Sequence, residues 1–239
     1  MRIETRFSAA EVDPASVAGA VAVVIDVIRA TTTILEAIAA GASAVYPASS
    51  VGEARRLASE LGPEDSVLGG ERRGLRIGGF DLGNSPREYT KESVAGRNLV
   101  LTTTNGTRAL VAARNADRVL VAALTNLSAV SRAACDAGRV VLVCAGKEDR
   151  FALDDVLCAG MIIEQLVGKS GEEPRFDDAS RAAARLAGCH EVTPALFRGV
   201  AAGMALVDVG LGADLDLCAE IDRHDIVPEM TGCSVSLPG

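Results

Sequence analysis

The chain of 239 residues carries 32 acidic against 24 basic residues, a net charge of -8, with 49% hydrophobic and only 3% aromatic content. That length supports one or two packed domains with a core large enough to be stable alone. The acidic balance argues against a nucleic-acid surface, which needs clustered cations, and six cysteines with no C-x-x-C pair and only two histidines argue against a zinc site or disulfide framework.

At the N-terminus, MRIETRFSAAEV lacks the hydrophobic core of a signal peptide, and the longest apolar run, VAGAVAVVIDVI, is too short to span a bilayer and contains Asp26. A cytoplasmic protein with no membrane partner is expected. VAVVID at 21–26 reads as a strand, TTTILEAIAAG as a helix and SAVYPA as a second strand. Another helix opens at Ser50, where Ser50 and Glu53 have the spacing of a capping box. The glycine-punctuated stretch GGERRGLRIGGFDLGNSP, residues 69–86, predicts a long structured loop or hairpin, and such loops in compact domains are usually functional. The alternation resumes with NLVL, TRALVAARN, DRVLVAAL, NLSAVSRAACDAG, VVLVC and LDDVLCAGMIIEQLVG. A polar connector, KSGEEPR at 169–175, leads to helical patterns in DDASRAAARLAG, TPALFRGVAAGMALVDVG and DLDLCAEI, and IVPEM reads as a final edge strand.

Strands alternating with helices predict an α/β fold, layered α/β/α, with a mainly parallel sheet joined by right-handed crossovers. A core of Val, Leu, Ile and Ala suits helices laid on such a sheet. Placing Thr33 on Thr107 aligns TILEAIAAGASAVYPA with TRALVAARNADRVLVA without a gap. One domain over 1–239 is expected, and the echo fits two similar α/β units near 1–95 and 96–239 and equally the generic pattern of such folds.

In sheets of this kind ligands bind beyond the carboxyl ends of strands, where helix N-termini present free N–H groups. VVID ends at Asp26, followed by Arg29, Thr31 and Thr32; VLGG leads to Glu71, with Asp81 further along its loop. LVL leads to Thr103, Thr104, Asn105 and Gly106 and then Arg108, while VVLVC leads to Lys147 and on to Asp154 and Asp155 at the next helix start. Each feature has a structural use. A threonine before a helix caps it for about 0.5–2 kcal/mol, and acids in a first turn complement the dipole for about 0.3–1 kcal/mol each. Asp26 is different, because a carboxylate ending a buried strand is costly to desolvate unless Arg29 or a metal meets it.

Together these residues suggest one chemistry. Hydroxyls and an amide around a glycine can wrap a tetrahedral oxyanion, and acids beside it call for a hard divalent cation. Oxygen ligands without a His or Cys cluster point to Mg²⁺. The candidate metal ligands are Asp26, Glu71, Asp81, Asp154 and Asp155, with Asp26 also a candidate nucleophile and Arg29 and Arg108 candidate catalytic cations. Thr31, Thr32, Thr103, Thr104, Asn105, Gly106, Lys147 and Arg150 form the phosphate- or substrate-binding set. Arginine makes up 21 of the 24 basic residues, which suits bidentate contact with phosphate or carboxylate. The expected partner is a small anionic phosphorylated substrate, and the chain is compatible with a homo-oligomer.

Two rival readings stand beside this one. Cys144 to Arg150 matches C-x5-R, the pattern of a thiolate phosphatase, although Glu148 and Asp149 would put negative charge in the cradle and a buried structural cysteine competes with it. A non-catalytic module that merely binds a phosphorylated or sulfonated acid would use the same arginines and helix ends, but would not need the acids.

Four blocks in order, VVIDVIRATTTILEAIAAGA, GGFDLGNSPREY, LTTTNGTRAL and VCAGKEDRFALDDVLCAG, resemble the 2-phosphosulfolactate phosphatase family over about residues 20–165. The resemblance implies an α/β fold peculiar to that family. It also implies Mg²⁺-dependent hydrolysis of 2-phospho-3-sulfolactate to 3-sulfolactate and phosphate, a step of coenzyme M biosynthesis.

Overall fold

The β-branched runs form strands and meet in one eleven-stranded mixed sheet. The structure is a computed structural model that describes residues 1–169, except the Lys169 side chain, and 174–238. In chain order the elements begin with β1 (Arg2–Arg6), β2 (Val21–Ile25), α1 (Ala30–Ala39), β3 (Ala44–Pro47), α2 (Val51–Leu61), β4 (Ser66–Arg72) and β5 (Leu75–Arg76). There follow α3 (Lys91–Val94), β6 (Asn98–Thr102), α4 (Gly106–Ala113), β7 (Arg118–Ala122), α5 (Leu127–Ala134), β8 (Arg139–Cys144), α6 (Leu153–Lys169) and β9 (Arg175–Phe176). The chain ends with α7 (Asp178–Cys189), α8 (Pro194–Gly199), α9 (Ala201–Asp208), α10 (Asp214–Cys218), β10 (Glu229–Thr231) and β11 (Ser234–Ser236). The polar connector expected at 169–175 falls mostly outside the described residues.

The strand order is β5-β4-β6-β3-β11-β10-β7-β2-β8-β1-β9. Strands β4, β6 and β3 pair in parallel, as do β7, β2, β8, β1 and β9. Between these groups sits the β10–β11 hairpin, antiparallel to both neighbours. Three successive antiparallel pairings leave the two parallel groups running in opposite senses. IVPEM was expected at an edge; it leads instead into β10, an interior strand, because the hairpin bridges two parallel sheets that would otherwise each expose an unpaired edge.

The first strand of each βαβαβ run lies among the strands of the other run. β2 sits between β7 and β8, and β6 between β3 and β4. Helices α1 and α4 therefore cross from one parallel group to the other and lie between them. Ile34, Ala37 and Ile38 of α1 and Ala109, Leu110 and Ala113 of α4 share one core with Ala22, Val24, Val121 and Val143 on one side and Val45, Leu99 and Leu101 on the other. The far face of β2, β7 and β8, with Val23, Ile25, Leu120 and Leu142, packs on α5 and α6 through Leu127, Val130, Val156, Ile162 and Leu166. Val100 of β6 packs on Ala54 and Ala58 of α2. Each parallel group is thus an α/β/α stack, and α1 and α4 are common to both. Each fully buried Val, Leu or Ile adds about 1.5–3 kcal/mol of apolar burial.

Local signals hold in detail. The Ser50 hydroxyl accepts the Glu53 N–H at 3.1 Å, while the Glu53 carboxylate reaches back one residue further than a simple box, to the Ser49 N–H at 2.7 Å. Residues 69–86 form the β4–β5 hairpin, with Glu71 opposite Arg76, and a following loop. No helix among the described residues is long and apolar enough to cross a membrane.

Candidate active site

Because α1 and α4 cross near their N-termini, the ends of β2 and β6 face one another, and the ends of β4 and β8 flank them. A cavity of about 290 Å³ opens there. It is lined by Asp26, Arg29, Glu71, Thr103, Thr104, Asn105, Lys147, Asp154 and Asp155 of the expected set. Also in the wall are Arg73 and Gly74 in the hairpin turn and Asn84 in the loop after it, together with Ala202, Ala205 and Leu206 of α9, which the sequence did not single out.

Asp26 follows the last residue of β2, so its side chain is only 7% exposed. Oδ1 accepts the Ala30 N–H at the start of α1 (3.1 Å), and no protein donor among the described residues meets Oδ2. Burial above all, reinforced by the Asp154 and Glu71 carboxylates, pushes the Asp26 carboxyl up to about 7, against the pull of the Ala30 N–H and the Arg29 charge. Asp154 is likewise pushed up by burial, to about 6, with N–H groups of its own helix turn and of Ile28 and the charge of Lys147 opposing. Asp155 is raised further by burial and by its two carboxylate neighbours, Asp154 and Asp26. Its role is nevertheless visible in its bonds: Oδ1 accepts the Val27 N–H (2.8 Å) and Oδ2 the Gly146 N–H (3.0 Å), tying the end of β2 to the turn after β8.

Glu71 is similarly committed. Oε1 accepts the N–H and hydroxyl of Thr104, each at 2.8 Å, and Oε2 accepts the Gly74 N–H at 2.8 Å. Arg29 is buried and lines the cavity, but its guanidinium pairs with Asp214 (2.7 Å) rather than with Asp26, and donates also to the Gly74 carbonyl (2.9 Å). Of the TTTNGT hydroxyls, that of Thr104 meets Glu71, that of Thr102 accepts from Arg72 at 3.1 Å, and those of Thr103 and Thr107 cap the start of α4. Thr103 Oγ1 accepts the Thr107 N–H and Thr107 Oγ1 accepts the Thr103 N–H, at 3.2 and 3.4 Å. Among the described residues no acceptor meets the Asn105 and Gly106 N–H groups, which open α4 beside Asp26.

Several expected residues stand apart from this cavity, each for a physical reason. Thr31 and Thr32 are fully buried and donate to the Asp26 and Val27 carbonyls, closing the first turn of α1. Asp81 lies elsewhere, accepting the Leu68 N–H across the loop that follows β5. Arg108 is half-exposed in a surface pair with Asp149 (2.9 Å), an interaction worth about 0–1 kcal/mol. The Arg150 backbone closes a turn on Lys147 while its side chain is exposed. Cys144 faces the α5–α6 core, and burial together with the Asp155 charge pushes its thiol well up, the opposite of what a thiolate nucleophile needs.

Gly106 is where the two helix starts touch. A Cβ there would lie 2.4 Å from Ala30 Cβ and 2.6 Å from Asp26 Oδ2. Gly106→Ala must therefore displace the carboxylate, and displacements of about 1 Å near reacting groups cost on the order of 10²-fold in rate. Turnover by Gly106→Ala is expected to fall by about that factor, and the contact with Ala30 Cβ, which cannot rotate away, is expected to lower the melting temperature as well.

A parallel-stranded α/β fold with acids, cations and unpaired helix N–H groups at the strand ends has the parts of an enzyme acting on a small anion. The comparisons give the class: a family model described as 2-phosphosulpholactate phosphatase matches residues 7–232. A probable 2-phosphosulfolactate phosphatase of Symbiobacterium thermophilum is 42% identical over 92% of this chain and 95% of its own length. Proteins of the same description from Thermus thermophilus and Clostridium perfringens are 43% and 38% identical, over 89% and 96% of this chain and 88% and 93% of theirs. The protein is a phosphoric monoester hydrolase. It belongs to the 2-phosphosulfolactate phosphatase family.

Proposed function

We propose that the cavity between β2, β4, β6 and β8 hydrolyses 2-phospho-3-sulfolactate, or a closely related small phosphorylated acid, with Mg²⁺. The observation that carries this reading is the buried, like-charged pair Asp26 and Asp154 facing one cavity with Lys147, Arg29 and Asn105. An acidic cavity repels a polyanion unless a cation stands between them.

Mg²⁺ is usually held by one or two carboxylates plus waters and substrate phosphate, rather than by an all-protein cage. Among the described residues no three His, Cys, Asp or Glu side chains converge into such a cage. The donor set fits the sparse form. Glu71 and Asp155 spend both oxygens on protein N–H and O–H groups, which leaves the Asp154 carboxylate to hold the ion beside Asp26 and keeps Asp26 Oδ2 free for the reaction. When bound, Mg²⁺ would neutralise charge on the phosphoryl oxygens.

The chain's own groups do the rest. The Asn105 and Gly106 N–H groups orient the phosphoryl oxygens at the positive end of α4. Lys147 and Arg29 meet the remaining anionic groups of the substrate, while Asp26 Oδ2 stands beside the phosphorus for in-line displacement, as nucleophile or as the base that takes a proton from attacking water.

A screen of small phosphorylated acids, with and without EDTA, tests the reading. Phosphate release that is strongest with 2-phospho-3-sulfolactate and abolished by EDTA is expected, whereas tight binding without release in Mg²⁺ would leave only a binding module. Cys144→Ser is expected to retain turnover within about threefold, because the thiol lies outside the cavity wall and is kept protonated by burial. A dead Cys144→Ser enzyme that still binds Mg²⁺ would reinstate the thiolate route.

A further inference from the structure

Asp214 opens the short helix α10, far along the chain from every strand end at the cavity, yet it is 2% exposed. One oxygen, Oδ2, accepts from Arg29 Nη1 at 2.7 Å, and the other, Oδ1, accepts from the Ser85 hydroxyl at 2.7 Å. Arg29 Nη2 donates to the Gly74 carbonyl at 2.9 Å, and Gly74 in turn donates its N–H to Glu71. A buried hydrogen-bonded chain thus runs from α10 through Arg29 and the β4–β5 turn to Glu71 and Thr104. Arg29 lines the cavity and Asp214 does not.

The electrostatics give this chain a purpose beyond holding segments together. Arg29 is buried near Asp26, whose carboxyl feels its charge. In a low-dielectric cavity a loose guanidinium would collapse onto the nearest carboxylate, Asp26 or Glu71, and be lost to an incoming anion. Asp214 supplies a fixed counter-charge on the side away from the cavity, and Ser85 fixes the orientation of Asp214.

We propose that Asp214 is a positioning residue, which through its bonds to Arg29 and Ser85 holds the Arg29 guanidinium in the cavity wall, off Asp26 and available to the anionic groups of the substrate. The inference rests on the phosphatase reading of the cavity, and it names a C-terminal residue as part of substrate binding.

The test compares KM and kcat for phosphate release, and the inhibition constant of inorganic phosphate, in the wild type, Asp214→Asn, Arg29→Met and the double variant. Asp214→Asn is expected to raise KM and the phosphate inhibition constant about tenfold or more, with kcat changed less. In the Arg29→Met background the same substitution should raise neither further, since Asp214 acts only through Arg29. Unchanged constants in Asp214→Asn, or a second full rise on top of Arg29→Met, would overturn the proposal. Should Asp214→Asn fail to fold, Ser85→Ala keeps the ion pair and removes one anchor. It is expected to raise KM about threefold, and an unmoved KM there would overturn the proposal equally. A wild type that releases no phosphate sinks the functional reading instead; calorimetric binding of inorganic phosphate to the same variants then still decides the role of Asp214.

Discussion

Asp26→Asn is expected to lower kcat by at least about 10³-fold, a barrier increase of about 4 kcal/mol, while the protein stays folded. The fold should survive because the amide oxygen can still accept the Ala30 N–H that Oδ1 accepts now. Losing the charge also relieves repulsion from Asp154 and Glu71, so the melting temperature without Mg²⁺ should not drop. Catalysis should not survive, since Oδ2 is the carboxylate oxygen without a protein donor at the meeting point of α1 and α4, and an amide is neither a nucleophile nor a base there. Acid quench with radiolabelled substrate divides the two routes. A labelled protein that disappears in Asp26→Asn assigns attack to the carboxylate, and unlabelled protein assigns it to water. Near-normal turnover of Asp26→Asn would remove the residue from the mechanism.

The part of this site legible in the sequence is the part set by local pattern. Asp26, Lys147 and Asp154 follow β2 and β8 in one parallel group, and Glu71 and Asn105 end or follow β4 and β6 in the other. The alternation of elements explains each set's shared rim but not the meeting of the two rims, which run in opposite senses and are joined by the crossing of α1 and α4. What resisted was set by pairings remote in sequence. Nothing in VVIDVIRA indicates that Arg29 will meet Asp214, 185 residues on, rather than Asp26, three residues back. Nor does IVPEM indicate an interior hairpin, because a short strand between two sheets and one at an edge have the same composition. The hydroxyls of TTTNGT were ambiguous for another reason: a side chain that can wrap a phosphate can as readily cap a helix, and Thr103 and Thr107 cap each other. The gapless match of Thr33 to Thr107 lays α1 and β3 on α4 and β7, the two helix–strand pairs that flank the β10–β11 hairpin. We propose that the two α/β units are the runs β2-α1-β3-α2-β4 and β6-α4-β7-α5-β8, interlocked by exchange of first strands, with the cavity where the exchanged strands end.

Magnesium is expected to stabilise the protein more at pH 8 than at pH 5, by at least about 5 °C in melting temperature. The sign follows from the cavity carboxyls. Asp26 goes from 3.8 to about 7 on folding and Asp154 from 3.8 to about 6, both chiefly through burial, and Asp155 is raised too. Between pH 4 and 7 the metal-free folded state therefore binds more protons than the unfolded chain, and this contribution to stability is lost as pH rises through that window. Above it the folded state carries bare, crowded carboxylates, and a divalent cation removes that cost; at pH 5 protons already occupy the same oxygens and compete with the ion. For a domain of about this size 1 kcal/mol moves the melting temperature by about 2–4 °C, so a difference of 5 °C asks only about 2 kcal/mol of these groups. Other ionisable groups, such as Glu4, whose carboxyl is held low chiefly by its bond to Arg139, tilt stability the other way with pH. They do so equally with and without the ion, so the gap between melting curves in MgCl₂ and in EDTA isolates the cavity. A gap of the same size at both pH values would mean that the ion binds somewhere other than among Asp26 and Asp154.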